Sequence, residues 1–194
     1  MKKCFLVIML VSLFSVISSA KANQYLKAGT GFIRGEVTDK IAGISETIKE
    51  NSELANFQLG IGTEYKNFDL SANFRYAYFD LDNADFDVYT LSLDANYLFK
   101  NSSKLVPYAG IGLNFNHFKT KIGALSMKES SPSFAYRIGV RTKLNDIVDV
   151  DLNVQQTTKS DCFDKDVLTT SGTIERFKGE YKDTSVNISL LFKF

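Results

Sequence analysis

Strict alternation of apolar and polar residues runs through most of the chain. This is the pattern of half-buried β-strands, whose successive side chains point to opposite faces. Over residues 55–65, Ala55, Phe57, Leu59, Ile61, Thr63 and Tyr65 share one face, while Asn56, Gln58, Gly60, Gly62 and Glu64 share the other. Lys66 and Asn67 then separate this run from the next, as a tight hairpin requires. In that next run Phe68, Leu70, Ala72, Phe74, Tyr76 and Tyr78 oppose Asp69, Ser71, Asn73, Arg75 and Ala77. The same split recurs over 89–99, 108–116, 134–143, 148–155 and 183–194, and more weakly over 25–34, which makes eight runs. The connections alternate between short and long, and the long ones include about 35–53 and about 159–180.

No continuous apolar run in the body of the chain is long enough for a helical span, so the alternating strands must account for any membrane crossing. In lipid every backbone group has to be satisfied within the protein, and strands achieve this only by closing into a barrel. The expected fold is all-β, an eight-stranded antiparallel up-and-down transmembrane β-barrel, with short turns at one end and longer loops at the other. The rival arrangement is a soluble lipocalin-like carrier, with the apolar face turned inward around a ligand. Two features favour lipid on the apolar face. The polar face is rich in Gly, Ser and Asn, which suit a crowded lumen better than a solvated surface. Aromatic residues also gather at the ends of the apolar face, at Tyr65 and Phe68, Tyr97 and Phe99, and Phe192 and Phe194, as in an interfacial girdle.

The first residues support export. Lys2 and Lys3 precede an apolar stretch from Cys4 to Ile17, and small residues follow, ending in Ala20-Lys21-Ala22. This is the layout of a secretory signal peptide over residues 1–22, with cleavage expected after Ala22 and a barrel domain over 23–194. Loss of Lys2, Lys3 and Lys21 turns the formal charge from +1 to −2, which gives no case for nucleic acid. Cys4 leaves with the leader, so Cys162 is the remaining thiol and no intramolecular disulfide can form.

With its leader, its Pro107-Tyr108-Ala109-Gly110-Ile111-Gly112 strand and its final Phe194, the chain resembles the OmpA/OmpX-like small outer-membrane β-barrel family over essentially all of residues 23–194. The resemblance implies a place in the bacterial outer membrane, with outer-membrane lipid and the outer-membrane assembly machinery as partners. It also implies that Ile188, Leu190, Phe192 and Phe194 form the C-terminal assembly signal. The chain stops at its last strand, and a tether to the cell wall is not expected.

An eight-stranded barrel has a lumen that side chains can fill, so inward polar groups must satisfy one another. Counting across the hairpin centred on Asp146 sets Lys143 opposite Asp149 and Arg141 opposite Asp151, two cross-strand pairs of opposite charge. Arg75, Asp94 and Arg137 are also inward, which predicts a lumenal charge network. Such a network either fills space or gates a narrow porin-like channel.

Catalysis finds little support. His117, the one histidine, belongs by phase to the outward set and is followed by Phe118 and Lys119, with Ser126 well into the following loop, so no Ser/His/acid grouping of suitable spacing emerges. One His and one Cys do not make a zinc site, and Asp161, Asp164 and Asp166 lack the Gly and closing Glu of a calcium loop. No catalytic residue, metal or cofactor is expected, and a lipid-modifying enzyme is the weakest reading. Recognition is expected in the long loops, as an adhesin-like role toward a host or surface ligand. In the first loop Ile41, Ile44 and Ile48 have helical spacing, compatible with a short amphipathic turn or an irregular loop. Cys162 reads as a loop residue.

Overall fold

The computed structural model describes residues 23–41, 44–48, 54–81, 84–122, 125–168 and 174–194. They form ten strands: β1 (Asn23–Ile41), β2 (Ile44–Ile48), β3 (Leu54–Tyr65), β4 (Phe68–Leu81), β5 (Ala84–Leu98), β6 (Leu105–Ile122), β7 (Leu125–Lys143), β8 (Val148–Thr157), β9 (Ser160–Leu168) and β10 (Ile174–Lys193). The pairings are antiparallel, and β1 pairs with both β3 and β10, so the sheet closes on itself.

Two of the ten strands are continuations of others. The lower part of β1 pairs with β3 from Asn23↔Glu64 to Ile33↔Leu54, and its upper part pairs with β2 from Val37↔Ile48 to Ile41↔Ile44. In the same way β10 pairs with β8 up to Thr184↔Gln156 and then with β9 from Tyr181↔Ser160. Thus β2 with β3, and β8 with β9, each make one wall position, and the barrel has eight. The even number brings both ends of the barrel together beside the short turns, where Phe194 N donates to Gln24 O at 3.1 Å.

Outward and inward positions follow the phase of the sequence. Phe32, Ile111, Phe134, Ile138 and Ile188 are exposed on the outside, while Asn73, Ser92, Asn114, Asn153 and Asn187 are buried inside. This overturns a lipocalin-like carrier, because the apolar side chains cover the outer wall. On β10 the outward apolar series runs from Phe192 to Val186 before Lys182 ends it, and on β1 from Leu26 to Phe32 before Arg34. That belt, roughly 8 residues at ~3.3 Å along tilted strands, suits the ~25 Å apolar band of a membrane barrel.

Strands continue well past the belt on the loop side, and here the expectations from sequence need correction. The segment with isoleucines at helical spacing is neither a helical turn nor an irregular loop, since β1 reaches Ile41 and β2 spans Ile44–Ile48. Its β-branched residues, Val37, Thr38, Ile41, Ile44, Thr47 and Ile48, favour extended backbone. The expected loop at about 159–180 is largely strand too, occupied by β9 and the first part of β10. Cys162 accordingly sits on a strand, buried, instead of in a loop.

Above the belt the wall separates into two four-stranded sheets. The β3–β4 ladder ends at Asn56↔Ala77 and the β7–β8 ladder at Ala135↔Thr157, which leaves β2-β1-β10-β9 on one side and β4-β5-β6-β7 on the other. Pro132, which has no N–H to give to a ladder, lies on β7 at this boundary. Isolated bonds stitch the seam: Thr158 N to Phe134 O at 2.7 Å, Phe134 N to Thr158 Oγ1 at 3.0 Å, and Asp161 N to Ser131 Oγ at 3.1 Å.

Candidate functional site in the lumen

The inward face of the barrel carries the polar chemistry of the chain, and it is arranged in tiers. Nearest the short turns, Arg141 on β7 bonds Asp69 on β4 at 3.1 Å and Glu64 on β3 at 3.3 Å, with Asp151 on β8 at 3.7 Å. Its guanidinium lies 5.4 Å from the Tyr25 ring centre and 6.0 Å from that of Tyr108. Both rings serve the same cluster, because Tyr25 donates its hydroxyl to Asp69 at 2.7 Å and Tyr108 donates to Asp151 at 3.0 Å. Lys27 contributes a further buried cation, 4.0 Å from Asp151. At the rim Lys100 meets Glu64 at 2.6 Å and Lys193 meets Asp149 at 2.6 Å.

In the next tier Arg137 Nη2 lies 2.9 Å from Asp94 Oδ2, and the guanidinium also donates to Gln155. Asp94 accepts further bonds from Asn73 at 2.6 Å and Ser92 at 3.1 Å. Higher still, Arg75 on β4 forms a two-pronged pair with Asp183 on β10 at 2.8 and 3.2 Å. Amides and hydroxyls fill the space between the charges, as in the chain from Asn56 through Asn187 to Asn153. Among the described residues each buried charge thus has an opposite partner, the condition under which charges persist away from water.

A third layer is apolar. Ile33, Ala77, Phe86, Val88, Phe118, Cys162 and Tyr181 cluster inside the loop-side end, with Val37 packed against them. Phe118 stacks on Phe86 at 5.6 Å between centroids and meets Tyr181 edge-on at 5.3 Å, and it is fully buried. Charged tiers thus lie below and an aromatic cluster above along the lumen.

Six of the seven residues expected in the charge network point inward and are buried: Arg75, Asp94, Arg137, Arg141, Asp149 and Asp151. Lys143 does not join them. It stands opposite Asp149 in register, but its side chain turns to the solvent and holds Asp146 of the adjoining turn at 2.6 Å. A lysine at the strand end keeps its ammonium hydrated this way, and Asp149 takes Lys193 instead. Arg141 is opposite Asp151 in register, yet its closer carboxylates are Asp69 and Glu64. Arg75 and Asp94, on adjacent strands, take Asp183 and Arg137 as separate partners. Ile188, Leu190, Phe192 and Phe194 form an exposed outward row at the end of β10. Cleavage after Ala22 lies outside the described residues.

Sequence reasoning missed Lys27, Glu64, Asp69, Asp183 and the tyrosine pair, because the partners that place them in the network lie beyond the neighbouring strand, one or more strands further round the wall. It also missed the aromatic plug. The signal was present in the phase, since Phe118 continues the inward series of Tyr108, Gly110, Gly112, Asn114 and Asn116.

On the outer wall, His117 Nδ1 lies 2.8 Å from Ser130 Oγ, a neighbour set by the β6–β7 register. Among the described residues no carboxylate contacts the ring, so the pair lacks the acid that would orient a catalytic base. Among these residues no group of His, Cys, Asp and Glu is arranged to hold a metal ion.

Comparison with known proteins follows the geometry. Residues 8–194 match the family described as outer membrane protein beta-barrel domain. No curated protein matches the chain by sequence. Among solved structures, Neisserial surface protein A is similar with 16% identity and a TM-score of 0.57, covering 88% of this chain and 97% of its own. OprG from Pseudomonas aeruginosa has 16% identity and a TM-score of 0.56, with 91% and 99% covered. A major outer membrane protein from Thermus thermophilus has 13% identity and a TM-score of 0.55, with 90% and 100% covered. These likenesses are of fold. Together with the closed barrel, its apolar outer belt and its polar lumen crossed by ion pairs, the family match establishes that the chain belongs to the outer membrane protein β-barrel domain family and resides in the bacterial outer membrane.

Proposed function

We propose that this barrel is a non-enzymatic envelope protein that works through its outside, as a structural element of the outer membrane and a surface-interacting module at its loop-side end. The ion pairs and stacked rings that cross the lumen support this reading. A conducting path would have to break the Arg137–Asp94 and Arg141–Asp69 pairs and displace the stacked Phe86, Phe118 and Tyr181. Separating these pairs takes each buried charge from its partner, which opposes opening. Chain length invested in β1–β2 and β9–β10 beyond the belt instead raises a wall above the bilayer, where a scaffold of this kind presents recognition surface.

Trimming that wall tests the reading. Replacing residues 36–53 and 160–180 with short turns, while retaining the belt and lower lumen, is expected to preserve heat-modifiable migration and membrane insertion. Attachment of the bearing cells to surfaces or host cells is expected to fall. Unchanged attachment with the trimmed barrel correctly inserted would contradict the surface role. In this reading Ile188, Leu190, Phe192 and Phe194 guide assembly, and Phe194→Ala is expected to lower the yield of inserted barrel.

A further inference from the structure

One outward patch breaks the charge balance of the wall. The β5, β6 and β7 registers align three successive outward rows: Leu91, Phe115 and Pro132 in the belt; Tyr89, His117 and Ser130 above it; and Asp87, Lys119 and Lys128 above that. Lys119 and Lys128 are therefore direct cross-strand neighbours on one face, an arrangement that repels unless something negative lies between. Among the described residues neither lysine forms an ion pair. Asp87, the one acid in the row, accepts a hydrogen bond from Tyr76 at 2.7 Å, and Lys119 sits over the Tyr89 ring at 4.6 Å. Elsewhere on the wall the balance is different, since Lys182 is opposite Glu36 on the β1–β10 pair.

The height of the patch identifies its occupant. The lysines lie two rows above apolar Leu91 and Phe115, on the side away from the short turns, and so at the headgroup level of the outer leaflet. Lipid in that leaflet carries phosphate on a sugar headgroup with acyl chains below. We infer that Lys119 and Lys128 clamp a phosphate of an outer-leaflet glycolipid, with Tyr89, His117 and Ser130 contacting the sugar and Phe115, Leu91 and Pro132 lining an acyl chain. Two charge-assisted contacts to one phosphate would relieve the repulsion between the lysines. The inference is independent of the lumen and of the β1–β2 and β9–β10 wall.

The test uses the full barrel in phosphocholine nanodiscs, with diphosphorylated lipid A as the probe and its dephosphorylated form as comparison. Binding is expected to favour the phosphorylated lipid, and the double variant K119Q/K128Q is expected to lose about thirtyfold in affinity. K119R/K128R is expected to retain it, and K182Q to match the unmodified protein. Equal affinity for the two lipids in the unmodified barrel would overturn the inference, whether or not the double variant folds. So would full competition by millimolar inorganic phosphate, which would mark a site for the free anion, or equal loss in K182Q, which would mark a diffuse charge effect.

Discussion

Arg137 Nη2 lies 2.9 Å from Asp94 Oδ2 although the two residues sit on β7 and β5, with β6 between them. The contact is possible because β6 presents Gly112 at this level, directly opposite Asp94 on one side and Ala135 on the other. With no side chain there, the carboxylate lies across the backbone of β6 and reaches the guanidinium beyond it. Asp94 is almost fully buried, so each partner depends on the other for its charge to be tolerated.

Removing Arg137 alone should therefore be expensive. R137M is expected to destabilise by about 3–5 kcal/mol, while R137M/D94L should recover much of that loss, since a matched apolar pair leaves no buried charge. Urea unfolding from phosphocholine vesicles, followed by heat-modifiable migration, reads both. An equal loss in single and double variants would mean that the pair is not coupled.

Gly112 gives an independent check on the same contact. A Cβ at this position would collide with Asp94 Oδ1. Gly112→Val is expected to cost about 1–3 kcal/mol as overpacking, and the cost should shrink in a D94S background. A penalty that is the same in both backgrounds would place the clash elsewhere.

The outer belt makes a different demand. Leu91 is partly exposed on the outside, and Ser92, its neighbour in sequence, is buried in the lumen. Leu91→Arg is expected to destabilise by about 2–4 kcal/mol in lipid vesicles, while Leu91→Phe should stay within about 0.5 kcal/mol. Indifference to arginine at Leu91 would refute the lipid-facing assignment.

In the turn after β7 the chain meets water, and Lys143 holds Asp146 at 2.6 Å. That ion pair lowers the Asp146 carboxyl below the usual range and raises the Lys143 ammonium above its own. The small stabilisation from Asp146 is present above the ordinary carboxylate pKa and is lost as pH falls through its depressed value. The Lys143 share is present below the ordinary lysine pKa and is lost as pH rises through its elevated value. An NMR titration should place Asp146 below a free aspartate and move it back toward the free value in K143Q; no movement would show the pair to be absent in solution.

Much of the fold was legible because lipid outside and polar filling inside impose opposite demands on alternate residues. That is why phase alone placed Arg75, Asp94, Arg137 and Arg141 inward. It faltered above the belt, where Phe86, Val88, Phe118 and Tyr181 make the inward face apolar and water replaces lipid outside. There the backbone stays extended while the polarity contrast fades, and strands β2 and β9 read as loops. Partners in the charge network were illegible for another reason. Register fixes neighbours along the wall, as for Arg141 and Asp151, but long side chains such as Arg75 reach across the lumen to Asp183, 108 residues away in the chain.

Single-channel recording in planar bilayers tests the proposed sealing of the lumen most directly. With the barrel shown to be folded by its heat-modifiable band and inserted by protease protection, no discrete current steps above baseline are expected across ordinary voltages and molar salt. Stable steps whose size scales with salt concentration would contradict a lumen closed by the Arg137–Asp94 tier and the Phe86–Phe118–Tyr181 plug.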